Sequence, residues 1–165
     1  MNEDHVDVIQ SEWRRERPDV DVGPQGVIGR LHRLANALTA ELETVYDSHG
    51  FAEIDFDILC TLRRAGSPFA RRPVDLARAS MITTGGISKR LDRLESAGLV
   101  EREKVAAGDG RAVRIRLTDD GRRRIDAAFT EHMTNEHRLL EMISDDDKVM
   151  LERILRGWLR QLDQP

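Results

Sequence analysis

A mainly α-helical chain carrying one small β-hairpin is the fold class this sequence predicts, and three observations predict it. Apolar residues recur at spacings of three and four through several long windows. The charged fraction is 34% and the aromatic fraction only 4%, a composition suited to long amphipathic helices with solvated outer faces. The period switches to two in AVRIRL, residues 112–117, where apolar and charged side chains alternate as in a strand with one buried face.

Taken in order, residues 5–16 put Val6, Ile9 and Trp13 on one stripe of a short helix that Pro18 ends. From Pro24 to about Asp47, the residues Val27, Leu31, Leu34, Leu38, Leu42 and Val45 trace a long helix, and Ser-His-Gly at 48–50 supplies its stop. IDFDILCTLRRAG predicts the next helix, GSPFARR a loop, and RPVDLARAS a short helix with Pro73 in its first turn. Thr83 or Thr84 caps a helix with Ile87, Leu91 and Leu94 inward, which Gly98 stops. LVEREKV is the weaker strand of a two-stranded ribbon, AAGDG its turn and AVRIRL its return. Thr118 caps a helix running to about Leu140, with Asp119 and Asp120 favourable at its positive end. Ser144 repeats that signature. The last helix carries Leu151, Leu155, Trp158 and Leu162 with Ile154 alongside, a stripe too apolar to face water on one small domain. It is predicted to pack on another helix, within the chain or on a partner subunit.

Several function classes are disfavoured. No run of about 18 apolar residues exists, and the acidic start MNEDHVDVIQ is unlike a signal peptide, so a cytoplasmic protein without membrane contact is expected. The single cysteine, Cys60, sits in the apolar run FDILCTL, which predicts a buried thiol and permits no intramolecular disulfide. GxxxxGK[ST], HExxH and GxSxG are all absent, and an enzyme is not expected. His132 and His137, with Glu131 and Glu136, lie on different faces of one helix and read as a solvated polar surface, so no metal or cofactor is called for.

Charge distribution says more than the total. The net charge is −4, yet residues 83–124 hold eleven Lys and Arg against seven Asp and Glu, a basic patch on an acidic body. Short helix, turn, short helix with a basic outer face, then strand, Arg-bearing loop and strand is the order of a winged helix-turn-helix. A helix fits the major groove while a cationic ribbon reaches backbone or minor groove. Opposite Ile87, Leu91 and Leu94 lie Gly85, Ser88, Lys89, Asp92 and Arg93, with Arg90 at the edge. Thr83, Thr84 and Ser88 can donate to phosphate, and Lys89 and Arg93 can reach base edges or flanking phosphates. Arg111 is the candidate minor-groove probe, with Asp109 placed to hold its guanidinium. Singly, each segment reads more simply as a solvated helix face or a charged strand; their order favours duplex DNA as partner.

GGISKRLDRLESAGLVER followed by DGRAVRIRLTDDG resembles the MarR family of bacterial transcription regulators, whose wing pattern falls on Asp109, Arg111, Leu117 and Thr118. The resemblance spans about residue 24 to the end. It implies a homodimer joined by its terminal helices that binds a palindromic operator and represses. On it the chain divides into an extension helix (1–22), a first dimerisation helix (23–50), a winged helix-turn-helix (51–118) and C-terminal dimerisation helices (119–165). SEWRRERPDVDV is similar to the extra first helix of the urate-responsive branch, which implies a ligand site of Trp13, Asp57, Arg64 and Arg102. The chemistry is coherent: two guanidiniums for a planar aromatic anion, an indole to cover it, one carboxylate for a ring N–H. A MarR-type regulator with a different phenolic ligand or none, and a helical protein-interaction module that never meets DNA, are the alternatives.

Overall fold

The computed structural model describes residues 3–80, 84–107 and 110–163, without the side chains of 84, 85, 105–107 and 110–112. The chain divides into two compact units, residues 1–42 and 43–165.

In the first unit, α1 (His5–Glu16) lies beside the first half of α2 (Gln25–Ser48). Asp4 starts α1 with a reciprocal cap: its carboxylate accepts from the Val6 and Asp7 N–H groups, and the Asp7 carboxylate accepts from the Asp4 N–H. Arg30 of α2 then donates to both carboxylates at 2.8 Å. Val6 packs over Gly29, where an added Cβ would stand 3.4 Å from its methyl. The predicted stripe is only partly inward. Val6 is buried, but Trp13 is 47% exposed, and the buried neighbour is Gln10, whose amide donates to the Val22 carbonyl at 2.8 Å. A polar residue takes an interior place there because a backbone acceptor waits for it.

The second unit holds the end of α2, α3 (Glu53–Arg63), β1 (Ala70–Arg71), α4 (Pro73–Ala79), α5 (Thr84–Ser96), β2 (Val100–Ala107), β3 (Gly110–Leu117), α6 (Asp119–Leu140) and α7 (Asp145–Leu162). Ile58, Leu59 and Leu62 of α3, Leu76, Ile87, Ile115 and Ile125 are fully buried and form its core. The sheet has three antiparallel strands in the order β1-β3-β2, where the sequence predicts two. GSPFARR is therefore not wholly loop: Ala70 and Arg71 pair with Arg116 and Ile115, too short a strand to leave a periodic signal. Gly50 and Gly98 stop their helices with φ of +71° and +70°, conformations that favour glycine.

Two features of α6 position the ribbon. Thr118 caps the helix, accepting from the Gly121 N–H at 2.9 Å, and its hydroxyl donates to the Gly98 carbonyl at 2.7 Å. A Cβ on Gly121 would stand 2.0 Å from the Leu99 carbonyl oxygen, so only glycine allows this approach. His132 corrects the sequence reading of a solvated polar face. It is buried, with ring centroids 5.6 Å from Tyr46 and 5.0 Å from Phe56, because the apolar cluster beneath α6 reaches its turn of the helix. Helix α7 buries none of its residues.

Candidate functional site

On α5, Ile87, Leu91 and Leu94 are at most 2% exposed, and Ser88, Lys89, Asp92 and Arg93 occupy the exposed side. Lys89 has no carboxylate partner among the described residues. The two arginines of this helix do: Arg90 Nη1 lies 3.7 Å from Asp55 Oδ1 and Arg93 Nη2 3.6 Å from Asp55 Oδ2. Asp55, in the first turn of α3, is 1% exposed, and its Oδ1 accepts no hydrogen bond among the described residues. Thr84 and Gly85 open α5; Thr83 and Asp109 lie outside the described residues. Arg111 stands in β3 opposite Ala106, its side chain undescribed.

The ribbon is braced against α5 by Arg102 of β2. Its guanidinium bonds to Asp92 at 2.5 Å and to Glu95, while its backbone N–H donates to Glu95 at 3.2 Å. The Asp92 bond is the main influence raising its pKa. Across the ribbon, Arg116 bonds to Glu101 and to Glu103, so that cation is neutralised within the sheet. Lys104 and Arg114 are exposed on the same ribbon without a carboxylate partner among the described residues.

Of the implied ligand residues, Asp57 and Arg64 share a face of α3 and its C-cap, with Cys60 between them. Burial pushes the Cys60 thiol up to about 12; Asp57 adds to the rise and Arg64 opposes it. Cys60 is half-buried, not buried as its apolar run predicts, because α3 turns it to the edge of the core beside Asp57 and Arg64, and its raised pKa disfavours the thiolate. Arg64 is exposed and donates to Thr61 Oγ1 at 3.0 Å, whereas its neighbour Arg63 is engaged with Asp126 of α6 at 2.6 Å and lies 5.1 Å from the Phe69 ring. Arg102 is held by Asp92 and Glu95 as described, and Trp13 belongs to the first unit.

Sequence reasoning missed Asp55. A signal was present: on α3, Asp55 precedes Ile58, Leu59 and Leu62 at helical spacing, a carboxylate on the apolar stripe just upstream of an Arg-bearing helix. Among the described residues, no group of three His, Cys, Asp or Glu is placed to hold a metal ion, and no helix is long and apolar enough to cross a membrane.

The MarR family model matches residues 49–112. The HTH-type transcriptional regulator PecS of Dickeya dadantii (strain 3937) is 41% identical over 149 residues, covering 90% of this chain and 89% of its own. Among solved structures, AbsC, a MarR family transcriptional regulator from Streptomyces coelicolor, superposes with a TM-score of 0.73 at 26% identity, over 87% of this chain and 97% of its own. NadR in complex with 4-hydroxyphenylacetate superposes with a TM-score of 0.63 at 23% identity, over 80% and 91% of the two chains.

Proposed function

The chain belongs to the MarR family of DNA-binding transcriptional regulators, which are not enzymes, and on that premise we propose that it is a repressor released from DNA by a small aromatic anion. In this reading two copies join through their terminal helices, and the paired α5 helices meet a palindromic operator in successive major grooves. The ligand is urate or a related purine, bound by Trp13, Asp57, Arg64 and Arg102. The observation that carries the reading is the position of Arg102. It is at once a candidate ligand cation and the brace between the ribbon and α5, through Asp92 and Glu95. An anion that draws the Arg102 guanidinium to itself removes the brace, and α5 is then free to leave operator spacing. Release follows only if the ligand binds the DNA-incompetent form more tightly.

The test is a thermal-shift and DNA-release titration with urate, xanthine, hypoxanthine, salicylate and 4-hydroxyphenylacetate. At a hundredfold excess over Kd, a purine is expected to stabilise the wild type by about 2.7 kcal/mol, raising Tm by roughly 5–10 °C. Trp13→Ala should lose that shift, and Arg102→Ala should lose ligand-induced release. If Arg102→Ala, while still bound to DNA without ligand, kept full ligand-induced release, the coupling would be refuted. A response confined to the two phenolic acids would favour a second reading, in which the effector is the class of compound found in NadR.

A further inference from the structure

We propose that Asp55 is a counterion built in beneath α5, which lets only one of Arg90 and Arg93 engage DNA phosphate at a time. The inference rests on α5 being the helix that meets DNA.

Asp55 is almost completely buried, and both guanidiniums within 4 Å of it come from the same helix face region, one turn apart. They reach it at 3.7 and 3.6 Å, with Oδ1 left without a hydrogen bond among the described residues. A carboxylate in that position has lost most of its water and depends on the arginines for compensation. If both arginines turned to phosphate, the carboxylate would be left buried and unpaired, a state proteins avoid. One arginine is therefore retained. Arg90, with its side chain 34% exposed, is the better enclosed; Arg93, at 59%, is the one placed to be shared with DNA. Asp55 thus acts as a positioning residue: it touches no DNA and sets how much cationic charge the helix delivers.

Salt dependence reads this directly, because each phosphate neutralised adds about 0.9 to the slope of log K against log salt. The experiment measures that slope by fluorescence anisotropy for the full chain, on a duplex selected by the wild type from a random pool and on a scrambled duplex. Asp55→Asn should steepen the slope of the dimer by about 1.8, about 0.9 from each protomer, on both duplexes and tighten binding about thirtyfold at 0.15 M salt. An unchanged or shallower slope overturns the proposal. The pair Arg90→Met with Asp55→Leu replaces the buried charges by apolar groups and covers the case in which Asp55→Asn does not fold. Arg90→Met alone should cost about 1.8 of slope in the dimer, because Arg93 of each protomer is then held by Asp55; adding Asp55→Leu should restore it. Failure to restore means that Arg90 was itself the phosphate contact, and overturns the proposal. Lys89→Gln is the control: if it leaves the slope unchanged, α5 is not on the DNA, and the placement of the interface fails before the counterion does.

Discussion

Helices α6 and α7 start with the same chemistry, a hydroxyl cap followed by two or three Asp, yet α6 buries Gly121, Ile125, Ala128 and His132 while α7 buries nothing. Both carry an apolar stripe at helical spacing. Along α6 the stripe meets α3 and the ribbon of its own chain; along α7, Ile154, Leu159 and Leu162 stand more than half exposed. Local code thus decides that a helix forms and which face seeks cover, and it is silent on what supplies the cover. For α7 a second copy is the cover proposed above.

The largest consequence follows from that assignment. Ile154→Glu combined with Leu162→Glu should leave the protomer folded, since both side chains are exposed within it, and should convert a dimer to a monomer by analytical ultracentrifugation. Operator affinity should then fall by about 10²–10⁴-fold, the avidity of joining two half-site contacts. A doubly substituted protein that stays dimeric and binds DNA normally would place the dimer contact elsewhere.

Next in size is the contrast between two glycines. At Gly121 of α6, an added Cβ meets the Leu99 carbonyl oxygen at 2.0 Å and its carbon at 2.9 Å, all backbone that cannot rotate away. Gly121→Ala should cost about 1–3 kcal/mol, lowering Tm by roughly 2–12 °C. At Gly157 of α7, no atom lies within 4 Å of an added Cβ, and Gly157→Ala should leave the protomer equal or more stable by up to about 1 kcal/mol. Should Gly157→Ala instead weaken self-association in the ultracentrifuge, a partner helix crosses α7 at that residue.

The same contrast explains how much of the molecule was legible in its sequence. Every helix was, because caps such as Thr118 and Ser144 and stops such as Gly50 and Gly98 are local signals that the structure uses as written. Strand β1 was not, since two residues carry no period and pair only once β3 is in place. His132 was misread because a helical wheel ranks a histidine among polar residues, while its burial depends on Tyr46 and Phe56 from elsewhere in the chain. At the candidate site, the positions of Lys89, Arg90, Arg93 and Arg102 were legible, and the partners of the three arginines were not. Asp55 stands out in the sequence only as a carboxylate on an apolar stripe, and Glu95 not at all, until folding brings a carboxylate to each arginine. Spacing predicts which cations share a helix; which of them are already spent on the protein's own carboxylates is a tertiary fact.

The smallest effect separates the two caps. Ser144 Oγ accepts from the Asp147 N–H at 3.2 Å and donates to the Asp147 carboxylate at 2.6 Å, so all its bonds lie within the first turn of α7. Thr118 accepts from Gly121 N–H at a tighter 2.9 Å and also donates to the Gly98 carbonyl, tying α6 to the turn that leads into the ribbon. Removing either hydroxyl strands a helix N–H, at a cost of about 0.5–2 kcal/mol. Thr118→Ala should fall near the top of that range, because the Gly98 carbonyl loses its donor as well, and Ser144→Ala near the bottom, because water reaches the exposed start of α7 and replaces what is lost. Urea midpoints read the difference, and Thr118→Ser should recover most of it since the hydroxyl returns. Equal costs for the two alanines would mean that the Thr118 to Gly98 bond adds nothing to the cap, and that the close approach at Gly121 alone holds α6 against the ribbon.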